Sequence, residues 1–174
     1  AGPLVDRRAR QDRSRRGGTV AWKGAWVLVI VESGRRSPVD RAAFCAEFGL
    51  PADALVAGVV AQLIPRKGHR YLLAALPALL ARHPALKVLI FGQGPLEAEL
   101  RAEVEAAGLA GAVRFTGFRH DLPRWLGGLD MLVHPADMEG LGVSLLQASA
   151  AAVPIVTSRA GGLPEAVQDG VTGI

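Results

Sequence analysis

Three features that would place this chain in a definite class are missing. Cys45 is the only cysteine, so no disulfide can close within the chain, as expected in a reducing compartment. The apolar run at residues 20–31 is too short and interrupted to span a bilayer, and the arginine-rich start lacks the core of a signal peptide. No Asp-x-Asp pair is present to hold a divalent cation, so we expect no metal and no other cofactor. We therefore predict a cytoplasmic protein.

The positive charge is confined to one end of the chain. The formal net charge is +4, but residues 1–26 hold seven basic and two acidic side chains, which leaves −1 for the remainder. We interpret residues 1–26 as a disordered tail, either solvated without a partner or a patch for anionic lipid or nucleic acid. The folded part has no large positive field, so we predict no nucleic-acid partner for it.

Strands and helices alternate over most of the chain. We interpret residues 27–54 as a linker strand and a helix, with Ser37 as its cap, Pro38 at its first position and Gly49 at its end. Further strands are predicted at residues 55–64, 86–91, 113–116, 131–134 and 154–157, with helices between them. This alternation predicts an α/β fold with a doubly wound, parallel, Rossmann-like sheet over residues 55–174. Its usual strand order places the first and fourth of these strands side by side, with ligands bound beyond their carboxyl ends.

The loop after the fourth of these strands predicts an anion site. The chain passes through His134, which we interpret mainly as a strand-end residue, and a Gly-Leu-Gly turn before a helix begins. A helix start leaves its first backbone amides unpaired, and such amides attract phosphate. We expect this role for the amides of Gly140, Leu141, Gly142 and Val143.

The loop after the first of these strands carries adjacent cations. Arg66 and Lys67 suit phosphate oxygens, and Gly68 lets the backbone approach closely, although solvated charges on a turn are the alternative. Gln62, at the predicted strand end, is either a satisfied polar residue or a ligand-binding one. The two loops should face one crevice and share a diphosphate.

Glu139 and Gln147 add hydrogen-bonding groups beside this predicted diphosphate site. They are eight positions apart, about two helical turns, so we expect both at the same edge. A carboxylate and an amide beside phosphates suit a ligand with hydroxyl groups, such as a nucleotide sugar. A helix-start carboxylate and an exposed glutamine are the alternatives.

A second glycine-rich loop, Gly92-Gln93-Gly94, invites a nicotinamide-dinucleotide interpretation. The third glycine of that fingerprint is replaced by Glu97, and the loop follows the second strand of the sheet instead of the first. A nicotinamide-dependent oxidoreductase is therefore disfavoured.

Five segments resemble, in the same order, the C-terminal donor-binding half of GT-B fold retaining glycosyltransferases, group 1, family 4 type. This group includes many lipopolysaccharide and glycolipid mannosyl- and glucosyltransferases. The segments are VVAQLIPRKGH, LIFGQGPLEAELR, VRFTGFRHDLPRWL, DMLVHPADMEGLGVSLLQASAAAVPIV and SRAGGLPEAVQDGVTG.

The resemblance implies a role for each matching residue. Lys67 would grip the donor diphosphate, with Gln62 standing where the family carries an arginine, and Arg66 is expected to fill that gap. Glu139 would contact the transferred sugar, and Gln147 stands in place of the glutamate that binds the ribose. The backbone around Phe118 and Arg119 would meet the base, unless Phe118 merely packs. Lys67 and Glu139 are thus the predicted catalytic residues.

The resemblance also implies an activity. A sugar would pass with retention from a UDP- or GDP-linked donor to a saccharide or lipid acceptor, at the inner face of a membrane through peripheral contact. The acceptor domain, normally N-terminal, and the segment that follows the C-terminal half would be missing, so this chain alone should transfer little. A non-catalytic nucleotide-binding or interaction module is the alternative, favoured by Gln62, Gln147 and the short chain.

Overall fold

The computed structural model describes residues 26–28 and 39–167, and the predicted tail before Trp26 lies outside this part of the chain. The strands are β1 (Trp26–Leu28), β2 (Leu55–Val60), β3 (Leu86–Phe91), β4 (Val113–Gly117), β5 (Met131–His134) and β6 (Ile155–Ser158). The α-helices are α1 (Arg41–Glu47), α2 (His69–Arg82), α3 (Glu97–Ala106), α4 (Leu122–Trp125), α5 (Val143–Ala150) and α6 (Leu163–Ala166). Short 3₁₀ turns occur at Pro65–Lys67 and Leu126–Gly128.

The strands form one sheet in the order β1-β6-β5-β2-β3-β4. Strands β2 to β6 are parallel, whereas β1 pairs antiparallel with β6 at the edge. The predicted neighbours, β2 and β5, lie side by side, with Ala57 opposite Met131 and Gly58 opposite Leu132. The predicted doubly wound, Rossmann-like sheet is therefore confirmed, and the carboxyl ends of β2 and β5 open at the same edge.

Helices cover both faces of the sheet because side chains alternate along each strand. In β3, Leu89 and Phe91 face the side covered by α1, α4 and α5, where Trp125 is also buried. Val88 and Ile90 face the side covered by α2 and α3. Each fully buried aliphatic side chain contributes about 1.5–3 kcal/mol, so the two-sided core holds the loops at the sheet edge in place.

Two predicted boundaries are wrong by three or more residues. Asp40, not Ser37, caps α1, because its carboxylate accepts from the amides of Ala42 (2.9 Å) and Ala43 (3.4 Å). Ser37 and Pro38 lie outside the described residues. Strand β2 ends at Val60, not at residue 64, and the amide of Leu63 donates to the carbonyl of Gln93 (3.0 Å), in the loop after β3.

Within the described part of the chain, none of the helices combines the length and the apolar character that crossing a membrane requires.

Candidate functional site

The loops after β2 and β5 meet at the carboxyl edge of the sheet. The amide of Asp137 donates to the carbonyl of Arg66 (2.9 Å), which ties one loop to the other through the backbone. Gly68 has φ +67°, and a Cβ at this position would lie 1.9 Å from the carbonyl oxygen of Pro135. Only glycine fits both the backbone conformation and this approach. The two loops are therefore one structural unit.

A lysine–glutamate ion pair forms where the two loops meet. Nζ of Lys67 donates to Oε2 of Glu139, and their side chains are only 10% and 13% exposed. Lys67 comes from the 3₁₀ turn after β2, while Glu139 comes from the loop after β5. The structure thus brings together the two side chains that the sequence predicts as catalytic.

Three donors hold the carboxylate of Glu139. Besides Lys67, Nε2 of His134 lies 2.9 Å from Oε2, and the amide of Gly140 donates to Oε1 at 3.1 Å. Burial acts to raise the pKa of Glu139, but the hydrogen bonds from Lys67 and His134 outweigh it and lower that pKa. Glu139 is therefore ionised at neutral pH and only accepts hydrogen bonds.

A third loop, which follows β6, contacts the backbone of Glu139. The amide of Gly162 donates to the carbonyl of Glu139 (3.0 Å). Added Cβ atoms at Gly161 and Gly162 would each lie 2.0 Å from a carbonyl oxygen, those of Glu139 and Gly140. The paired glycines of the loop after β6 are thus required for this contact, a role that the sequence did not reveal.

Helix α5 begins beside Glu139, as predicted. Gly142 precedes its first residue with φ +67°, and no hydrogen bond within the described part of the chain uses the amides of Leu141, Gly142 or Val143. These amides can accept an anion at the positive end of the helix. The amide of Gly140 differs from the expectation, because it already donates to Glu139.

That Glu139 and Gln147 lie at the same edge of the site stays a prediction. Helix α5 begins at Val143, so Glu139 lies in the loop before the helix and Gln147 lies within it. Gln147 is an exposed residue of α5, and its carbonyl accepts from the amide of Ala151 (3.1 Å).

Two other residues predicted to bind the diphosphate lie at the surface. Gln62 lies in the loop beyond β2, not inside the strand, and Arg66 precedes Lys67 in the 3₁₀ turn; both are exposed. Neither side chain is part of the Lys67–Glu139 pair.

Phe118 and Arg119, which the resemblance places near the base, lie in or next to the loop after β4. The Phe118 ring is exposed, whereas the Arg119 side chain is held in ion pairs. Phe118 is 59% exposed, and its ring meets that of His120 edge-on with 4.8 Å between centroids. The guanidinium of Arg119 pairs with Asp121 (2.7 Å) and Glu47 (2.6 Å), and the hydrogen bonds that it donates to these carboxylates raise its pKa. The Arg119 side chain is therefore occupied by carboxylates, and contact between the backbone of this loop and a base stays a prediction.

The loop Gly92–Gly94 has a packing role. Added Cβ atoms at Gly92 and Gly94 would lie 1.9 Å and 2.5 Å from the carbonyl oxygens of Ala61 and Leu63. Both glycines thus let two neighbouring loops touch, which explains this Gly-x-Gly pattern without a dinucleotide.

Sequence analysis overlooked His69, the first residue of α2. Its side chain is 3% exposed, and burial, with His134 and Lys67 nearby, lowers its pKa to about 4. The available signal was a histidine placed directly after Lys67 and Gly68, at the start of an otherwise leucine-rich helix.

Comparison with known proteins places this site in a family. The model of group 1 glycosyl transferases matches residues 40–174. A D-inositol 3-phosphate glycosyltransferase of Actinosynnema mirum is 37% identical over 172 residues, which cover 90% of this chain and 41% of that protein. A GDP-mannose-dependent alpha-(1-6)-phosphatidylinositol monomannoside mannosyltransferase of Mycolicibacterium smegmatis is 39% identical over 145 residues, or 78% of this chain and 38% of that protein. The chain thus spans about two fifths of the length of these relatives.

Solved structures agree with the sequence comparison. Anabaena HepE in complex with UDP and glucose superposes with a TM-score of 0.71 at 30% identity, over 79% of this chain and 38% of that one. The C-terminal domain of a group 1 glycosyl transferase (LpcC) from Francisella tularensis superposes with a TM-score of 0.66 at 25% identity, over 78% of this chain and 74% of that one. The chain has the fold of a GT-B glycosyltransferase domain and belongs to the group 1 glycosyl transferases.

Proposed function

We propose that this chain binds the donor of a glycosyltransferase that moves a sugar, with retention, from a nucleotide-diphosphate sugar to an acceptor hydroxyl. The observation that carries this proposal is the meeting of Lys67 and Glu139 beside the start of α5. A diphosphate needs a cation and amide donors, whereas a sugar needs hydrogen-bond acceptors for its hydroxyl groups. This edge of the sheet supplies all three within one group of loops.

In this proposal one set of groups stabilises the leaving diphosphate, and Glu139 binds the sugar. As the sugar–phosphate bond breaks, negative charge grows on the departing diphosphate, where Lys67 and the amides of Leu141, Gly142 and Val143 stabilise it. The carboxylate of Glu139 accepts from sugar hydroxyls and stays ionised because Lys67 and His134 hold it. In this proposal side-chain and backbone donors meet the charge of the leaving diphosphate, and no metal ion is required.

The substrates of similar proteins indicate which donors and acceptors to test with this chain. HepE has been crystallised with UDP and glucose, and the Mycolicibacterium smegmatis relative is named for its use of GDP-mannose on a phosphatidylinositol mannoside. In this chain four large apolar side chains between residues 138 and 146 are exposed, namely Met138 (64%), Leu141 (55%), Val143 (62%) and Leu146 (42%). We infer a UDP- or GDP-linked donor and a glycolipid or polysaccharide acceptor, which the complete protein would take up at the cytoplasmic membrane face.

Calorimetry of the chain with UDP and GDP tests donor binding. Lys67→Ala should weaken binding by about tenfold or more, because one charge-assisted contact contributes about 1.5–3 kcal/mol. Lys87→Ala is the matched control, since Nζ of Lys87 donates to the carbonyl of Gly111 (2.6 Å), at the other end of the sheet. Unchanged affinity in a folded Lys67→Ala variant would contradict the proposal.

Transfer by the complete protein separates catalysis from binding. Glu139→Ala should retain most nucleoside-diphosphate affinity but lose sugar transfer to a lipid or saccharide acceptor. A complete protein that binds UDP or GDP but never transfers sugar would instead indicate a non-catalytic nucleotide-binding module. Gln62 and Gln147, which replace a family arginine and glutamate, favour that second function.

A further inference from the structure

His69 is a buried histidine that the proposed donor site does not use. Its side chain is 3% exposed, and neither ring nitrogen has a hydrogen-bond partner among the described residues. Because its pKa is lowered to about 4 by burial, with His134 and Lys67 adding to the effect, the ring is neutral at pH 7. A neutral imidazole carries one N–H donor and one lone pair. A buried N–H without an acceptor is costly, so His69 requires a partner.

His134 has a buried acceptor nitrogen that lacks a donor. Its side chain is 2% exposed, and its Nε2 lies 2.9 Å from Oε2 of Glu139. An ionised carboxylate only accepts, so Nε2 must carry the proton of this hydrogen bond. Burial lowers the pKa of His134, although Glu139 acts in the opposite direction, so the ring is neutral and Nδ1 keeps a lone pair. Nδ1 is buried and no described residue donates to it.

We propose that His69 is a positioning residue: its ring N–H donates to one enclosed water molecule, which in turn donates to Nδ1 of His134. One histidine holds a donor without an acceptor, and the other holds an acceptor without a donor. The residues that adjoin them in the chain are in close contact, because an added Cβ at Gly68 would lie 1.9 Å from the carbonyl oxygen of Pro135. A bridging water would find polar partners on both rings, which is what a buried water needs.

This hydrogen bond would fix the tautomer of His134 and thereby the place of Glu139. With Nδ1 occupied as an acceptor, the proton stays on Nε2 and points at the carboxylate. In the opposite tautomer a lone pair would face the carboxylate, and Glu139 would turn away, leaving Lys67 as its only side-chain donor. The inference rests on the proposed function for what Glu139 does to a sugar, but the hydrogen-bond chain itself does not.

Long-range ¹H–¹⁵N correlation spectra of the four histidines test this chain of hydrogen bonds in the intact protein at pH 7. His134 is assigned from the signals that disappear in His134→Gln. We expect a protonated Nε2 and an unprotonated, hydrogen-bonded Nδ1, together with a slowly exchanging ring N–H from His69. A protonated Nδ1 on His134 in the wild-type chain would overturn the proposal without any variant.

Substitutions then test whether the hydrogen bond at Nδ1 of His134 depends on the ring N–H of His69. His69→Phe should move the Nδ1 signal of His134 toward its free value or populate the second tautomer, whereas His69→Asn, which keeps an N–H donor, should restore the wild-type pattern. His83→Phe is the matched control, because His83 is an exposed histidine at the other end of α2. A folded His69→Phe variant with wild-type His134 signals would refute the donor role.

Ligand titration separates this inference from the proposed function. If UDP-glucose or GDP-mannose binds the wild-type chain, His69→Phe should weaken that binding by about tenfold and weaken UDP or GDP less. Equal losses for sugar nucleotide and nucleoside diphosphate would contradict an effect through Glu139. If neither class binds the wild-type chain, the proposed function fails, while the His134 spectra still decide the hydrogen-bond chain.

Discussion

Lys67 and Arg119 lie in loops that follow parallel strands, and both pair with carboxylates. The two clusters differ in their exposure to water. Lys67 and Glu139 are 10% and 13% exposed, whereas Arg119, Glu47 and Asp121 are 26%, 35% and 45% exposed. Lys67 follows the central strand β2 and pairs with Glu139 in the loop after β5. Arg119 follows β4, the strand at the sheet edge, where water reaches the pair.

This difference in exposure decides how much each ion pair contributes to the free energy of unfolding. Water screens the Arg119 contacts, so they contribute little to stability even though Arg119 and Trp125 lower the pKa of Asp121. A charge enclosed like Lys67 has lost its hydration, so removing its partner leaves an uncompensated charge. The central strands thus provide a site where charge is held in a defined geometry, and the edge strand does not.

The largest effect should come from the glycine that joins the two central loops. Gly68→Ala should cost on the order of 4 kcal/mol in the free energy of unfolding, because positive φ adds to a collision with the Pro135 carbonyl. Gly108→Ala is the matched control, since Gly108 has φ +68° but nothing within 4 Å of an added Cβ. Urea unfolding of both variants measures the difference, and equal losses would show that the loops do not touch.

Removing the enclosed cation should come next. Lys67→Met should cost about 3 kcal/mol, because Glu139 would lose its charged partner in a nearly enclosed position. Adding Glu139→Gln should recover most of that loss, since no unpaired charge remains. Thermal or urea unfolding of both variants measures this, and a double variant as unstable as the single one would contradict it.

Acid should destabilise the fold through His69. The native pKa of about 4 lies below the ordinary value of 6.5, so the unfolded chain binds a proton first as the pH falls. Stability present above pH 6.5 should therefore be lost progressively down to pH 4, by about 3 kcal/mol in total. His69→Phe should remove this part of the slope in urea unfolding, whereas His83→Phe should keep it.

The smallest effect should come from the exposed pair. Arg119→Met should change the free energy of unfolding by less than about 1 kcal/mol, and less still at high salt. A loss comparable to that of Lys67→Met would mean that exposure does not distinguish these two clusters. The same denaturation assay measures both variants.

Particular residues show which structural features could be predicted from the sequence and which could not. The predicted bounds of β3 and β5 are those observed, because both strands are short apolar runs that end at glycine or proline. The cap of α1 was missed because Ser37 and Asp40 are both good caps, and only the geometry of the Asp40 carboxylate distinguishes them. His69 was missed because a histidine at a helix start carries no local sign of burial.

By itself, the sequence determined the alternation of strands and helices, the neighbouring positions of β2 and β5, and the two loops that carry Lys67 and the start of α5. Hydrophobic period and turn residues act over a few positions, so they can be read locally. Only the tertiary structure decided that Lys67 pairs with Glu139, that Arg119 pairs with Glu47, and that His69 is buried. These outcomes depend on burial and on contacts between loops far apart in the chain, which no local pattern encodes.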